Sequence, residues 1–172
     1  MPFDLQPVLR GELLWVRPLR PDDWDALFAV ASDPLIWEQH PAADRYEEDV
    51  FQKFFREALD SGGAFVILDA TTDRVIGSSR FNGYDEGKGE IEIGWTFLAR
   101  AYWGGAYNRE LKQLMVRHAL GFVTRVIFLV GPGNRRSQRA LEKIGAGRAG
   151  SRINERGEES FAYQITAPPP NR

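Results

Sequence analysis

The sequence predicts a single α/β domain (α+β by strict class), with a mixed, mostly antiparallel sheet of about seven strands and helices on both sides. Three observations predict it. Strand-like runs at 64–70, 74–82 and 90–98 follow one another with only turn-rich pieces between them. A strand–helix–strand–helix alternation then fills 90–145. The last segment folds back as a hairpin around Glu155-Arg156-Gly157. The domain is expected to span 1–166, with "APPPNR" at 167–172 as a disordered tail.

Each element has its own signal. "GELLWVRPL" reads as the first strand. Residues 20–32 read as a helix: Pro21 suits its first turn, and Asp22 and Asp23 favour the N-terminal dipole. Trp24, Leu27, Phe28 and Ala31 share one face of it. "DPLIWEQHP" breaks the pattern. From Asp44 a helical stripe of Tyr46, Val50, Phe54 and Ala58 runs to Gly62-Gly63. The three strand-like runs form an antiparallel meander. The next helix carries Tyr107, Leu111, Leu114, Met115 and Ala119 on one side, with Arg109, Glu110, Lys112, Gln113 and Arg117 elsewhere. "VIFLV" is a continuous apolar strand for the sheet interior. "GPGN" leads into a helix that Gly145 stops.

Composition narrows the function classes. The 172 residues are 43% apolar and 27% charged, ordinary for a soluble globular chain. A formal charge of −2 gives no global attraction to nucleic acid or anionic membranes. No apolar run reaches the roughly 20 residues that span a bilayer. The N-terminus lacks the basic-then-apolar order of a secretory signal, so a cytoplasmic location is expected. There are no cysteines, which excludes disulfides and thiolate chemistry, and two histidines make no multi-histidine metal site.

"AYWGGAYNREL" joins strand to helix with almost no side chain at the turn. The first turn of a helix presents N–H groups without partners, and with the macrodipole they favour an anion. "WGGAYNRE" therefore reads as a phosphate cradle, or alternatively as a tight turn packed with small residues. It is not a P-loop, since no Gly-Lys-Ser/Thr follows, and it lacks the dinucleotide-binding glycine spacing.

About 30 residues further on comes "GNRRSQRALEKIGA". This resembles the Asn-x-x-Ser/Ala, Glu-Lys-x-Gly signature of the GCN5-related N-acetyltransferases (GNAT). The order "IGWTFL", "WGGAYNREL" with Lys112 next, then "NRRSQRALEKIGA" is similar to the ribosomal-protein N-terminal acetyltransferase-like branch. "LLWVRPLRPDDWDAL", "SDPLIWE" and the final "RGEESFAYQIT" resemble that branch too, so the resemblance covers nearly the whole chain. It implies acetyl-CoA as co-substrate and a primary amine as acceptor, on a protein N-terminus or a small molecule; no metal is expected, from the histidine and cysteine counts. It implies pyrophosphate on the amides of Gly104, Gly105, Ala106, Tyr107, Asn108 and Arg109, and pantetheine beside Trp95, Thr96, Phe97 and Leu98. Three positions depart from the pattern. Ala101 stands where the family has glutamine or arginine, with Arg100 next to it. Ala106 replaces a common glycine, and Leu141 replaces a tyrosine that protonates the leaving thiolate.

The chemistry of acyl transfer selects the other candidates. A lysine-type amine with pKa about 10.4 costs about 4.6 kcal/mol to deprotonate at pH 7, an α-amino group much less. A base is therefore valuable, and Glu92, just before the cradle, is placed for it. In the strand alternation Ile91, Ile93 and Trp95 face one way and Glu90, Glu92 and Gly94 the other. The structural alternative for Glu92 is a cross-strand pair with Arg80 or another basic residue. Asn134 could contact the cofactor, cap its helix, or both. Ser137 could donate a proton to the CoA thiolate, or be an ordinary helical serine. Arg139, with Arg135 and Arg136, could meet the adenosine phosphates, or form a solvated face. Trp37 and His40 fall where this family shapes the acceptor pocket, as does Trp24; core packing and a surface histidine are the alternatives. His118 reads as structural. Two further readings stay open: a CoA-binding regulatory module without chemistry, and a nucleotide-binding protein using the same anion site. Neither nucleic acid nor membrane is expected as a partner. The last hairpin could pair across a homodimer.

Overall fold

A computed structural model describes residues 2–40 and 42–166, and the tail expected at 167–172 lies outside them. Its eight strands are β1 (Leu9–Arg10), β2 (Leu14–Pro18), β3 (Ala64–Asp69), β4 (Val75–Asp85), β5 (Glu90–Leu98), β6 (Arg125–Val130), β7 (Gly147–Ile153) and β8 (Glu159–Thr166). They form one sheet in the order β1-β2-β3-β4-β5-β6-β8-β7. One pair, β5 with β6, is parallel, and the others are antiparallel. Four helices accompany it: α1 (Trp24–Ala31), α2 (Glu48–Ser61), α3 (Ala106–Ala119) and α4 (Arg135–Lys143). The strand beyond the expected seven is β1, a two-residue pairing with β2 too short to leave a period in the sequence.

The sheet separates two cores. The buried run of β3 is apolar at consecutive positions because both its faces are covered. Phe65 and Ile67 join Ile91, Ile93, Leu111 and Met115 in a core under α3. Ala64, Val66 and Leu68 join Leu27, Phe51, Phe55 and Phe97 in a second core under α1 and α2.

Helix α2 begins at Glu48, so Tyr46 lies in the preceding turns, 36% exposed, outside the helical stripe expected from Asp44. The buried stripe is Phe51, Phe54, Phe55 and Ala58. Asp23 does more than complement a dipole. It is buried, receives two hydrogen bonds from Arg17 at 2.7 and 2.9 Å, and accepts from the Arg20 amide at 2.8 Å. Gly145, at φ 89°, ends α4, where the Ala146 amide reaches the Leu141 carbonyl at 3.0 Å. The final hairpin turns where expected, with Asn154 Oδ1 accepting from the amides of Arg156 and Glu158.

Strand β5 breaks the expected alternation. Its register against β4 shifts between Ser78 and Arg80, and Trp95 takes φ 54°. This bulge turns Trp95 away from Ile91 and Ile93 and into the second core, beside Phe97. Thr96 and Leu98 then point towards α3.

Candidate functional site

Strands β5 and β6 pair only over Glu90–Glu92 and Arg125–Ile127. Beyond that they diverge, and a cleft of about 1350 Å³ opens between them. One wall is Glu92–Leu98 of β5, the other is Phe128–Val130 of β6, and the first turns of α3 and α4 close one end. Backbone groups of outer β5 on the β6 side have no ladder partner, so an extended chain can pair with them.

The N-terminus of α3 faces this cleft. Gly104 and Gly105 have φ 117° and 108°, a region that L side chains rarely adopt. A Cβ on either would meet nothing within 4 Å, so the space above them is open. No side chain caps the helix, and the amides of its first turn are left for an anion. Ala106 and Tyr107 open the helix but do not themselves line the cleft, and the Tyr107 ring is held edge-on to Tyr102 at 4.8 Å. Asn108 and Arg109 line the cleft, but the Arg109 amide, expected among those that hold the anion, is taken by the Gly105 carbonyl at 2.9 Å because the helical ladder begins there. Trp103 donates from its indole to the Leu98 carbonyl at 2.9 Å, and the Arg136 guanidinium stacks on its ring at 3.9 Å. Arg135, Arg136 and Arg139 all line the cleft from α4. Arg100 points elsewhere, paired with Asp33.

Helix α4 starts at the same end. Asn134 is buried, and its Oδ1 accepts from the Ser137 amide at 3.3 Å, so it is the cap that its residue type suggests. It also lines the cleft, as do Ser137 and Leu141. Leu141 is 4% exposed and supplies no ionisable group.

Glu92 lines the cleft on the face of Arg80 and Asn82. Asn82 Nδ2 donates to it at 3.3 Å. A Cβ on Gly94 would stand 3.0 Å from Glu92 Oε2, so glycine leaves the carboxylate room to lean towards Trp95. The pair with Arg80 is not formed; that guanidinium lies over the Trp95 ring at 4.3 Å. The neighbouring Glu90 takes the ion pairs instead, to Arg125 at 2.7 Å and Arg152 at 3.1 Å. Burial raises the Glu92 pKa, against the opposing pull of the Asn82 hydrogen bond and of Arg152 and Arg80.

Trp37 does not reach the cleft. It is 2% exposed, bonds the Ala31 carbonyl at 2.8 Å and packs on Phe97. Its neighbour His40 does line the cleft, edge-on to Trp37 at 5.6 Å. Trp24 stacks on Phe28 in the second core. His118 contacts Phe3 and Phe81 and bonds the Asp4 carbonyl at 2.7 Å, a structural role as expected.

Sequence reasoning missed two features of the cleft. Lys112, placed on the polar side of α3, is 6% exposed; its Nζ donates to Thr96 Oγ1 at 2.7 Å and faces the Phe128 ring at 5.5 Å. Its spacing to Met115, Val116 and Ala119 carried the signal, overridden by its charge. The other is the bulge at Trp95, which Gly94 inside a strand could have announced.

A family profile described as an acetyltransferase (GNAT) domain matches residues 14–147. An uncharacterised N-acetyltransferase of Bacillus licheniformis, p20, is 30% identical over 145 residues, 79% of this chain and 80% of its own. The crystal structure of a putative acetyltransferase from T. thermophilus superposes with TM-score 0.75 at 27% identity, covering 96% of this chain and 90% of its own. A structure of a putative ribosomal-protein-serine acetyltransferase from Vibrio cholerae shares the fold at 15% identity, TM-score 0.72, covering 94% and 98%. The profile matches most of the chain, and its acetyltransferase fold is the one found here: this protein belongs to the GNAT acetyltransferase family.

Proposed function

We propose that the protein transfers the acetyl group of acetyl-CoA to a primary amine by direct attack within a ternary complex. The observation that carries this is the divergence of β5 and β6 beside an uncapped helix N-terminus with two open glycines. The cradle fits a diphosphate because uncapped first-turn amides stand in a cleft that Arg109, Arg135, Arg136 and Arg139 also line. Pantetheine, a chain of amides, fits the β6-side edge of Trp95–Leu98, which has no ladder partner, although the Leu98 carbonyl already accepts from Trp103. Acetyl-CoA supplies the activated acyl group as substrate.

The chain's own residues supply proton handling. Glu92 accepts a proton from the acceptor ammonium, directly or through water, and burial, which raises its pKa, makes it a stronger base than a free carboxylate. Ser137, one helical turn beyond the Asn134 cap, donates to the leaving thiolate, since Leu141 cannot. The sequence has no cysteine for a thioester intermediate, in keeping with direct transfer. The motif order supports the ribosomal-protein N-terminal acetyltransferase-like branch and a cytoplasmic site of action. Among the described residues no helix is long and apolar enough to cross a membrane.

The test is thiol release from acetyl-CoA across a panel of primary amines, with the acetylated amine measured by mass spectrometry. The two should appear in equal amounts. Thioester loss at the water rate with every amine overturns the transferase reading. If CoA still binds, a binding module remains, the reading that Leu141 favours.

A further inference from the structure

Arg80, Arg45 and His40 gather around the rings of Phe54, Trp95 and Trp37, and none of them donates a side-chain hydrogen bond to an acceptor among the described residues. Arg80 is 6% exposed, and its Nε is buried with no hydrogen-bond partner. Arg45 lines the cleft, and its guanidinium shares the Phe54 ring with Arg80, at 4.8 and 5.5 Å from the centroid. Neither arginine belongs to any of the four ion pairs among the described residues. Arg45 also reaches the Trp37 ring at 5.6 Å, the ring against which His40 stands. His40 Nδ1 accepts from the Ala42 amide at 2.9 Å, so the neutral ring carries its proton on Nε2. Burial, with the charges of Arg45 and Arg136, pushes its pKa down to about 4, so the ring is neutral at pH 7 and Nε2 donates.

Buried arginines are ordinarily paired, because an unpaired charge pays its desolvation alone. Here two guanidiniums share one aromatic ring, repel each other and lack a carboxylate contact. Glu57 and Glu92 act on Arg80 only at longer range, and cation–π stacking offsets only part of the cost. Burial, followed by the field of Arg45, lowers the Arg80 pKa to about 10. Asp44 and Glu57 likewise act on Arg45 only at longer range, so what the corner lacks is an anion in contact with either guanidinium.

We infer that this corner receives the anionic group of the acceptor: the amine acetylated here also bears a carboxylate or phosphoryl group, held by Arg45 and His40 Nε2–H with the charge of Arg80 behind Trp95. The inference rests on the acceptor being an amine whose proton goes to Glu92. It follows from electrostatics in the same cleft. A simple ammonium passing this corner to Glu92 meets the charge of Arg80, which acts on Glu92, with Arg45 next to it, and both repel it. A zwitterionic amine places its anion on the arginines and its ammonium towards Glu92, so one field orients both ends. Of the basic residues beside the α3 N-terminus, Arg136 also acts on His40 with its charge, and Arg109, Arg135 and Arg139 remain for CoA.

The experiment uses twin ligands that differ only in the anion: α-amino acids against their amides, and O-phosphoethanolamine against ethanolamine. Each is titrated calorimetrically into the CoA-bound protein and assayed for thiol release with acetyl-CoA. At least one anionic amine should bind tenfold or more tightly than its neutral twin, and the two series separate carboxylate from phosphoryl. Arg45→Gln should erase that preference while leaving CoA affinity unchanged; Arg80→Lys should weaken it, and if that variant misfolds, His40→Phe replaces it. Neutral twins that bind and react equally well overturn the inference and leave the transferase reading standing. So does a preference that survives Arg45→Gln, or an absence of binding by every anionic member. Selective binding without turnover on any amine does the reverse: the anion corner stands and the transferase reading falls.

Discussion

Replacing Lys112 with methionine should stabilise the protein, by an amount that depends on pH. The lysine is 6% exposed, donates one hydrogen bond, to Thr96, and meets no carboxylate among the described residues. Burial lowers its pKa from 10.5 to about 7. Between those values the unfolded chain holds a proton that the folded chain has released, so stability rises with pH across that window. Below pH 7 both states are charged and the full cost of burying the ammonium is present. At 1.36 kcal/mol per pKa unit, that cost is about 5 kcal/mol near pH 6 and falls to about 2 kcal/mol by pH 9. Methionine removes the cost and forfeits a hydrogen bond worth about 1 kcal/mol, while Thr96 keeps its contact with Ser79 at 2.8 Å. Lys112→Met should therefore exceed wild type by about 4 kcal/mol at pH 6 and by about 1 kcal/mol at pH 9. Urea denaturation of both proteins at the two pH values reads this directly, as midpoints that move while the slopes do not. A stability difference equal at both pH values, or a variant weaker at pH 6, refutes a buried, unpaired lysine.

Glu92→Gln keeps size and removes proton acceptance; the rate at neutral pH should fall and partly recover at high pH, more for lysine-like than for α-amino acceptors. A destabilised variant with an unshifted pH–rate profile would remove Glu92 from the mechanism. Ser137→Ala should lower kcat about tenfold or more with little change in CoA affinity, and wild-type kcat would assign proton donation to water. Glu110 accepts from the amides of Glu12, Leu13 and Leu14 at 2.8 to 2.9 Å, tying β2 to α3. Glu110→Ala leaves those donors without this partner and should cost about 2 to 3 kcal/mol in thermal unfolding; an unchanged melting point would show that water replaces the carboxylate.

Much of the fold is legible because its elements obey simple periods. The meander β3-β4-β5, the stripe of α1, the Asn134 cap and the Gly145 stop follow from local sequence, and the structure contains all of them. The failures share a physical cause: tertiary contact overrides a local rule. Trp95 follows an alternating pattern until a bulge rotates it, and that bulge depends on register with β4. Lys112 reads as polar surface until α3 docks on the sheet. Tyr46 falls on a helical stripe, but the chain is still turning there. Trp37 groups with His40 by proximity in sequence; the indole instead fills the second core and leaves His40 in the cleft. Arg45 and Arg80 give no sequence signal as a pair, since their lack of ion-pair partners exists only in three dimensions.

The most direct measurement is a calorimetric titration of CoA into wild type and Gly105→Val. In wild type the first-turn amides of α3 stand open beneath a glycine whose absent Cβ would meet no protein atom. Valine places a branched side chain in that space, at a φ of 108° that it adopts only with strain. CoA should bind wild type in preference to ATP. The variant should still melt cooperatively, and its CoA affinity should fall by tenfold or more. Equal CoA affinity in the two proteins would contradict a diphosphate resting on the α3 N-terminus.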